Sequence, residues 1–221
     1  MIGDKKYPVI YADPPWKFAV YSAKGEGRSA TAHYNCLNVD QLFKLPVAEI
    51  AADDSILFLW TTDPFLSKGI ELASAWGFNY KTIAFYWAKL NKSADTHLFS
   101  EKDFFTGLGY WTRANLEPCL LATRGHPKRI SKKVRRLVIS PRREHSRKPD
   151  EVFVRIEELV EGPYVELFAR ASRHGWDSWG DEASLFDGGP VETRMFPSDL
   201  RKYPRPAVRE SNDLSMTKGR R

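Results

Sequence analysis

The sequence predicts an α/β protein built on a doubly wound, mostly parallel sheet, and three observations carry that prediction. Short apolar runs rich in β-branched and aromatic residues, Pro8 to Ala12, Ser55 to Trp60 and Lys81 to Ala88, alternate with helical patterns across short connections. The first run stops abruptly at Asp13-Pro14-Pro15-Trp16, a polar residue and two prolines at a strand's carboxyl end. A second helix and strand, 151–160 and 164–170, stand together late in the chain.

The opening loop is stiff before any ligand arrives, because the prolines fix their own φ and push the preceding residue out of the helical region. It offers a carboxylate (Asp13), a carbonyl with no N–H on the next residue (Pro14), and a large flat ring (Trp16). These are two acceptors for an exocyclic amine and a face on which a purine stacks. Taken alone, the same residues serve equally as a strand-terminating turn with a core tryptophan.

Residues 17–32 hold glycine and serine breaks and read as a loop, which ends at His33-Tyr34-Asn35. Asn38 or Asp40 caps a short helix that places Leu42 and Leu45 on one face and stops at Pro46. Ser55 to Trp60 is a continuous apolar run, as in a strand covered on both faces. Thr61-Thr62-Asp63-Pro64 then starts an amphipathic helix from Phe65 to Trp76, which Gly77 ends. After the third strand the stretch from Leu90 to Arg113 is long, polar and glycine-bearing, which marks a functional loop. Glu117 to Thr123 is a fourth strand, and Leu137-Val138-Ile139 a short edge strand. In the late helix Val152, Ile156, Leu159 and Val160 form the buried stripe, Gly162-Pro163 breaks it, and Tyr164 to Arg170 is the final strand.

A chain of 221 residues, 42% hydrophobic, buries one core, so one domain is expected over 1–186, with a basic, proline-bearing tail over 187–221. No apolar run is long enough for a membrane span and no signal core opens the chain, which predicts a cytoplasmic protein with no membrane partner. Cys36 and Cys119 form no C-x-x-C pattern and the five histidines are scattered, so no metal is expected. The net charge is +6, and residues 124–148 hold eleven Lys or Arg against one acid, Glu144. Beside a base-handling loop, such a segment favours a polyanion, although a charge run is also the signature of a solvated loop.

Asp-Pro-Pro-Trp resembles the catalytic signature of the S-adenosylmethionine-dependent methyltransferases that modify the N6 amine of adenine. The branch it is similar to is the messenger-RNA adenine methyltransferases with their bacterial and phage DNA-modifying relatives. That resemblance implies a Rossmann-like class I methyltransferase fold in permuted order, the catalytic loop first and the cofactor strand last. Lys148-Pro149 before a helix, then a strand ending Glu166-Leu167-Phe168, is similar to the cofactor block of permuted amino-methyltransferases. The glycine-rich turn of Asp-x-Phe-x-Gly-x-Gly is absent, and the chain continues Ala169-Arg170-Ala171-Ser172. The messenger-RNA branch shares Glu-Leu-Phe-x-Arg and carries a later Trp-x-x-x-Gly-Asn. Here that reads Trp176 to Gly180 followed by Asp181 and Glu182, with Asp181 where asparagine is usual.

By this resemblance Asp13, Pro14, Pro15 and Trp16 form the catalytic set. S-adenosylmethionine is held by Asp13, Tyr34, Lys148, Phe168, Arg170, Asp181 and Glu182, with Lys148 on the methionine carboxylate and Arg170, Asp181 and Glu182 on the ribose side. Nucleic acid, DNA before RNA, is assigned to Lys17, Lys89, Asn91 and Arg113, and to Lys128, Arg129, Lys132, Lys133, Arg135 and Arg136 of the basic segment. The alternatives are the same chemistry on RNA adenosine, or a non-catalytic nucleic-acid-binding partner of such an enzyme. Monomer and dimer both stay open.

Overall fold

The computed structural model describes residues 5–16, 39–109, 111–143 and 147–180. Seven strands form one sheet: β1 (Tyr7–Ala12), β2 (Ala51–Trp60), β3 (Asn79–Leu90), β4 (Leu116–Arg124), β5 (Leu137–Pro141), β6 (Tyr164–Leu167) and β7 (Trp176–Trp179). Their spatial order is β5-β3-β4-β2-β1-β6-β7. β1 pairs in parallel with β2 and β6, β6 with β7, and β3 with β5. β4 runs antiparallel to both β2 and β3.

The helices are α1 (Val39–Phe43), α2 (Val47–Ile50), α3 (Leu66–Ala75) and α4 (Glu151–Leu159). They cover both faces of the sheet, and the period-two alternation of the strands serves both. Ile10, Ala12, Leu57 and Leu59 join Leu42, Val47, Leu72 and Trp76 in one cluster. Val9, Tyr11, Phe58 and Trp60 join Val152, Phe153 and Ile156 in the other. Trp76 closes the first layer by donating its indole N–H to the Leu42 carbonyl at 2.9 Å.

The doubly wound sheet expected from the sequence is present, with three local differences. Pro46 ends α1 but also precedes α2, where its ring occupies a position whose N–H has no intrahelical use. The strand expected to end at Arg170 stops at Leu167, because Phe168 turns left-handed at φ 62°. It is also not the final strand, since β7 follows, too short and too polar in Trp-Asp-Ser-Trp to show in the sequence pattern.

β1 lies between β2 and β6, and the chain reaches those neighbours in opposite senses of winding. Outside the carboxyl ends of two such strands the connections diverge and leave a crevice. Asp13 follows β1 there and Phe168 follows β6.

Candidate active site

Asp13 is tied to the next strand by its N–H, which donates to the Leu167 carbonyl at 3.5 Å. Its side chain is 15% exposed, and Lys148 Nζ donates to both its oxygens at 2.7 Å. Lys148 also pairs with Glu117 Oε1 at 2.9 Å, and Glu117 pairs on its other oxygen with Lys89. The result is an alternating row of charges, Asp13, Lys148, Glu117 and Lys89, laid across β1, β4 and β3.

Electrostatics within this row are reciprocal. Burial acts against the Lys148 ammonium, but the carboxylates of Asp13 and Glu117 outweigh it and hold its pKa above the usual lysine value. Burial likewise opposes the Glu117 carboxylate, and the two lysines outweigh it to bring its pKa to about 2. Trp60 lies under the row, its ring centroid 5.3 Å from Lys148 Nζ and its indole N–H bonded to Tyr11 Oη at 2.7 Å.

Pro14 is buried, and its carbonyl accepts the Trp16 N–H at 2.9 Å, which closes the loop on itself and leaves one lone pair of that oxygen. Trp16 does not offer the free face expected of it. It is 4% exposed, donates its indole N–H to the Trp60 carbonyl at 3.0 Å, and stacks on Phe65 with ring centroids 5.2 Å apart. An indole with no bulky polar group beyond one N–H is well suited to a core, and here the core takes it.

A cavity of about 530 Å³ opens beside Asp13 and is lined by Tyr11, Lys148, Phe153, Glu166, Phe168 and Arg170, among others. Its floor is the turn after β6. Phe168 takes the left-handed conformation that glycine adopts most readily, two residues before Arg170, where the glycine-rich version of this turn has its first glycine. Ala169 N–H then donates to the Trp179 carbonyl at 2.9 Å, so β7 fastens the turn from outside. Gly180 makes the fit possible, since a Cβ there would stand 2.5 Å from the Ala169 carbonyl oxygen. On the rim Asp150 bridges Arg143 and Arg173, each at 2.6 Å, and Arg173 lies 3.8 Å from the Phe153 ring centroid.

The donor set fits S-adenosylmethionine. Carboxylates match an ammonium and a ribose diol, cations match a carboxylate, and the rings of Phe153 and Phe168 give apolar surface for a purine. Glu166 was not singled out by the sequence, nor was Glu117; the only signal for either is an acid set inside an apolar strand. Burial raises the Glu166 carboxyl to about 8, with Arg173 pulling it down, Asp13 pushing it up and Arg170 pulling it down.

Of the residues assigned to the cofactor, Asp13, Lys148, Phe168 and Arg170 meet at the cavity. Tyr34, Asp181 and Glu182, like Lys17, lie outside the described residues. Lys148 differs from its expected role in having two carboxylates already on its ammonium. The residues assigned to nucleic acid are scattered. Lys89 is spent on Glu117, and the Asn91 amide donates to the carbonyls of Lys102 and Phe104 at 3.5 and 3.4 Å, which closes its own loop. Arg113 is exposed and donates to the Gly109 carbonyl at 3.1 Å. The basic segment does not flank the Asp13 loop: β4 runs antiparallel to β2, so Lys128, Arg129, Lys132 and Lys133 follow its end at the opposite end of the strands. Arg135 and Arg136 lead from there up to β5.

A mostly parallel sheet covered on both faces, with its cavity and its charged row at the switch point between β1 and β6, defines a Rossmann-like methyltransferase. Comparison with known proteins makes the assignment particular. The MT-A70 family profile matches residues 7–182, and the chain belongs to the MT-A70 family. It is 35% identical over 196 residues to the type II methyltransferase M.MunI of Mycoplasma sp, across 80% of this chain and 78% of that one. It is 30% identical over 168 residues to the N(6)-adenosine-methyltransferase subunit METTL3 of Danio rerio, and 29% to the catalytic subunit METTL3 of Homo sapiens. Those two matches cover 75% of this chain but 26% of each relative, so the chain spans about a quarter of their length. The protein is an adenine-N6 methyltransferase with S-adenosylmethionine as its methyl donor. Among the described residues no helix is long and apolar enough to cross a membrane, and no group of three or more His, Cys, Asp or Glu is placed to hold a metal ion.

Proposed function

We propose that this enzyme methylates the N6 amine of adenine in DNA, with Asp13 and the Pro14 carbonyl receiving the amine. The observation that carries the site reading is the position of Asp13, held by Lys148 at the lip of the cavity with its carboxylate oriented by two bonds. The amine of adenine is a weak nucleophile because its lone pair is delocalised into the ring. Two acceptors on its N–H groups favour a pyramidal nitrogen and aim the lone pair across the cavity.

When bound, S-adenosylmethionine supplies an activated methyl group, and the transfer needs no covalent enzyme intermediate. Glu166 accepts from the ammonium of the methionine part, Arg170 serves the ribose side, and Phe168 lies against the adenine. Asp13 need not be a strong base, since the proton leaves only after the nitrogen has gained the methyl group and become cationic. Lys148 fixes Asp13 in direction, and its charge is itself balanced by Glu117. The domain is taken to end near residue 186, with the basic tail outside it.

DNA is favoured because the type II methyltransferase M.MunI matches over most of both chains, and the compact chain that carries Asp13 to Trp16 resembles the bacterial and phage DNA-modifying members. Incubation with radiolabelled S-adenosylmethionine and matched DNA and RNA, followed by nucleoside analysis, tests the reading. Label is expected in N6-methyldeoxyadenosine. Label in RNA alone overturns the substrate, and label in methylcytosine overturns the base.

A further inference from the structure

We infer that the basic segment 124–136 is a second nucleic-acid contact, separate from the catalytic crevice, which grips phosphates several base pairs from the target adenine. It rests on the reading that the substrate is a nucleic-acid polymer, and it concerns where along that polymer the protein holds on.

Position is the first ground. Ala12 pairs with Leu59, so Asp13 stands level with Trp60, whereas Arg124 at the end of β4 pairs with Ser55. The rise from Ser55 to Trp60 is about 17 Å at about 3.3 Å per residue. At about 3.4 Å per base pair, that is about five base pairs of duplex. Nucleic acid must therefore extend or bend past the crevice to meet the lower part of the segment, from Arg124 to Ile130. Arg136, next to Leu137 opposite Tyr86, has climbed back on the far side of β3 to the level of Asp13.

Charge is the second ground. Residues 124–136 contain no acid, and Lys128, Arg129, Lys132, Lys133, Arg135 and Arg136 are all exposed. Elsewhere seven cations, Lys5, Lys68, Lys89, Arg143, Lys148, Arg155 and Arg173, each meet a carboxylate. Among the described residues none of the six cations has such a partner. A stretch that concentrates six exposed cations with no acid among them presents a site for polyanion.

Rigidity is the third ground, and it separates this segment from a solvated charge run. His126 N–H donates to Asp54 Oδ1 at 2.7 Å, and Ile130 N–H to the Leu159 carbonyl at 2.8 Å. Gly125 turns at φ 60° in a place where a Cβ would meet Asp54 Oδ1 at 2.2 Å. Val134 packs on the second core cluster, and the Arg155 guanidinium donates to the Leu137 carbonyl at 2.7 Å. The backbone is thus fixed at several points while the charged side chains face solvent, so binding costs little ordering of the chain.

The test is equilibrium binding without methyl donor, at several salt concentrations, to a DNA duplex of about 30 base pairs and to a hairpin of about 4 that is too short to span the two regions. The variant carries Lys128→Gln, Arg129→Gln, Lys132→Gln and Lys133→Gln, all exposed, and Lys132→Gln/Lys133→Gln alone is a milder second. On the long duplex the slope of log affinity against log salt is expected to fall by about 0.9 for each phosphate contact removed. On the hairpin variant and parent should coincide. Equal slopes on the long duplex overturn the inference, and equal losses on both lengths overturn it by placing the segment in the crevice. If the parent methylates RNA alone, the DNA reading fails, and the same slopes measured on RNA decide this inference independently.

Discussion

Lys148 Nζ stands 2.7 Å from both carboxylate oxygens of Asp13, across 135 residues of sequence, and 2.9 Å from Glu117. A buried cation shared by two acids means that removing it leaves two like charges facing each other in a poorly solvated place. Lys148→Met is expected to cost about 3–5 kcal/mol of stability in urea unfolding. Adding Glu117→Gln should restore part of that loss, and the coupling in the double-mutant cycle measures the shared charge. A Lys148→Met protein as stable as the parent would show that the row carries no weight.

Asp13→Asn keeps the shape of the side chain and removes its charge, and the amide turns a donor toward whatever Asp13 accepts from. Methyl transfer should fall by about 10²–10³, the usual effect of losing one oriented charge-stabilising group. Cofactor affinity measured by calorimetry should change little, because Glu166, Phe168 and Arg170 remain. Undiminished turnover in this variant contradicts the role given to Asp13.

Trp16→Ala is expected to destabilise the protein by about 3–5 kcal/mol, as a large core side chain does when truncated. Trp16→Phe should keep most of the packing on Phe65 and lose the bond to Trp60. If Trp16 were instead a stacking face for the target base, Trp16→Ala would lower activity and leave the unfolding midpoint in place.

Burial raises the Glu166 carboxyl to about 8 from its usual 4.5. Between those values the folded protein holds a proton that the unfolded chain has released, so stability falls as pH rises across that window. The stabilising contribution is whole below about pH 4.5 and gone above about pH 8. Urea unfolding at a series of pH values should show the downward slope in the cofactor-free parent and a flatter one in Glu166→Gln. Identical slopes in the two proteins would assign the effect to other groups.

Gly180→Ala sets a methyl group 2.5 Å from the Ala169 carbonyl oxygen and 2.9 Å from the Phe168 carbonyl carbon, so the turn under the cavity must shift. Overpacking of this kind costs about 1–3 kcal/mol. Calorimetry should find weaker cofactor binding than in Gly175→Ala. There no atom lies within 4 Å of the new methyl, and only the backbone at φ 82° is strained.

The sequence was informative wherever the signal is local. Apolar runs, their alternation and the proline-bounded loop at Asp13 placed six of the seven strands and the long helices, because burial on both faces demands such runs. The short β7 is not visible in the sequence, since Trp-Asp-Ser-Trp has no apolar run to show, and its pairing with β6 and the stacking of Trp176 on Tyr164 arise only in the fold. Glu117 and Glu166 escaped for a related reason: an acid inside a strand acquires meaning only from the lysine or cavity that the neighbouring strand brings to it.

By itself the sequence determined the α/β class, the stiff Asp13-Pro14-Pro15-Trp16 loop at a strand end, and the late Lys148 and Phe168 block. Only the tertiary structure decided which side of that loop is presented, turning Trp16 inward and Asp13 to Lys148. It also decided the direction of β4, which carries the basic segment away from the crevice. The physical reason is that periodicity fixes which residues are buried but not which way a strand runs or what lies across from it. Those depend on pairing between segments far apart in the chain.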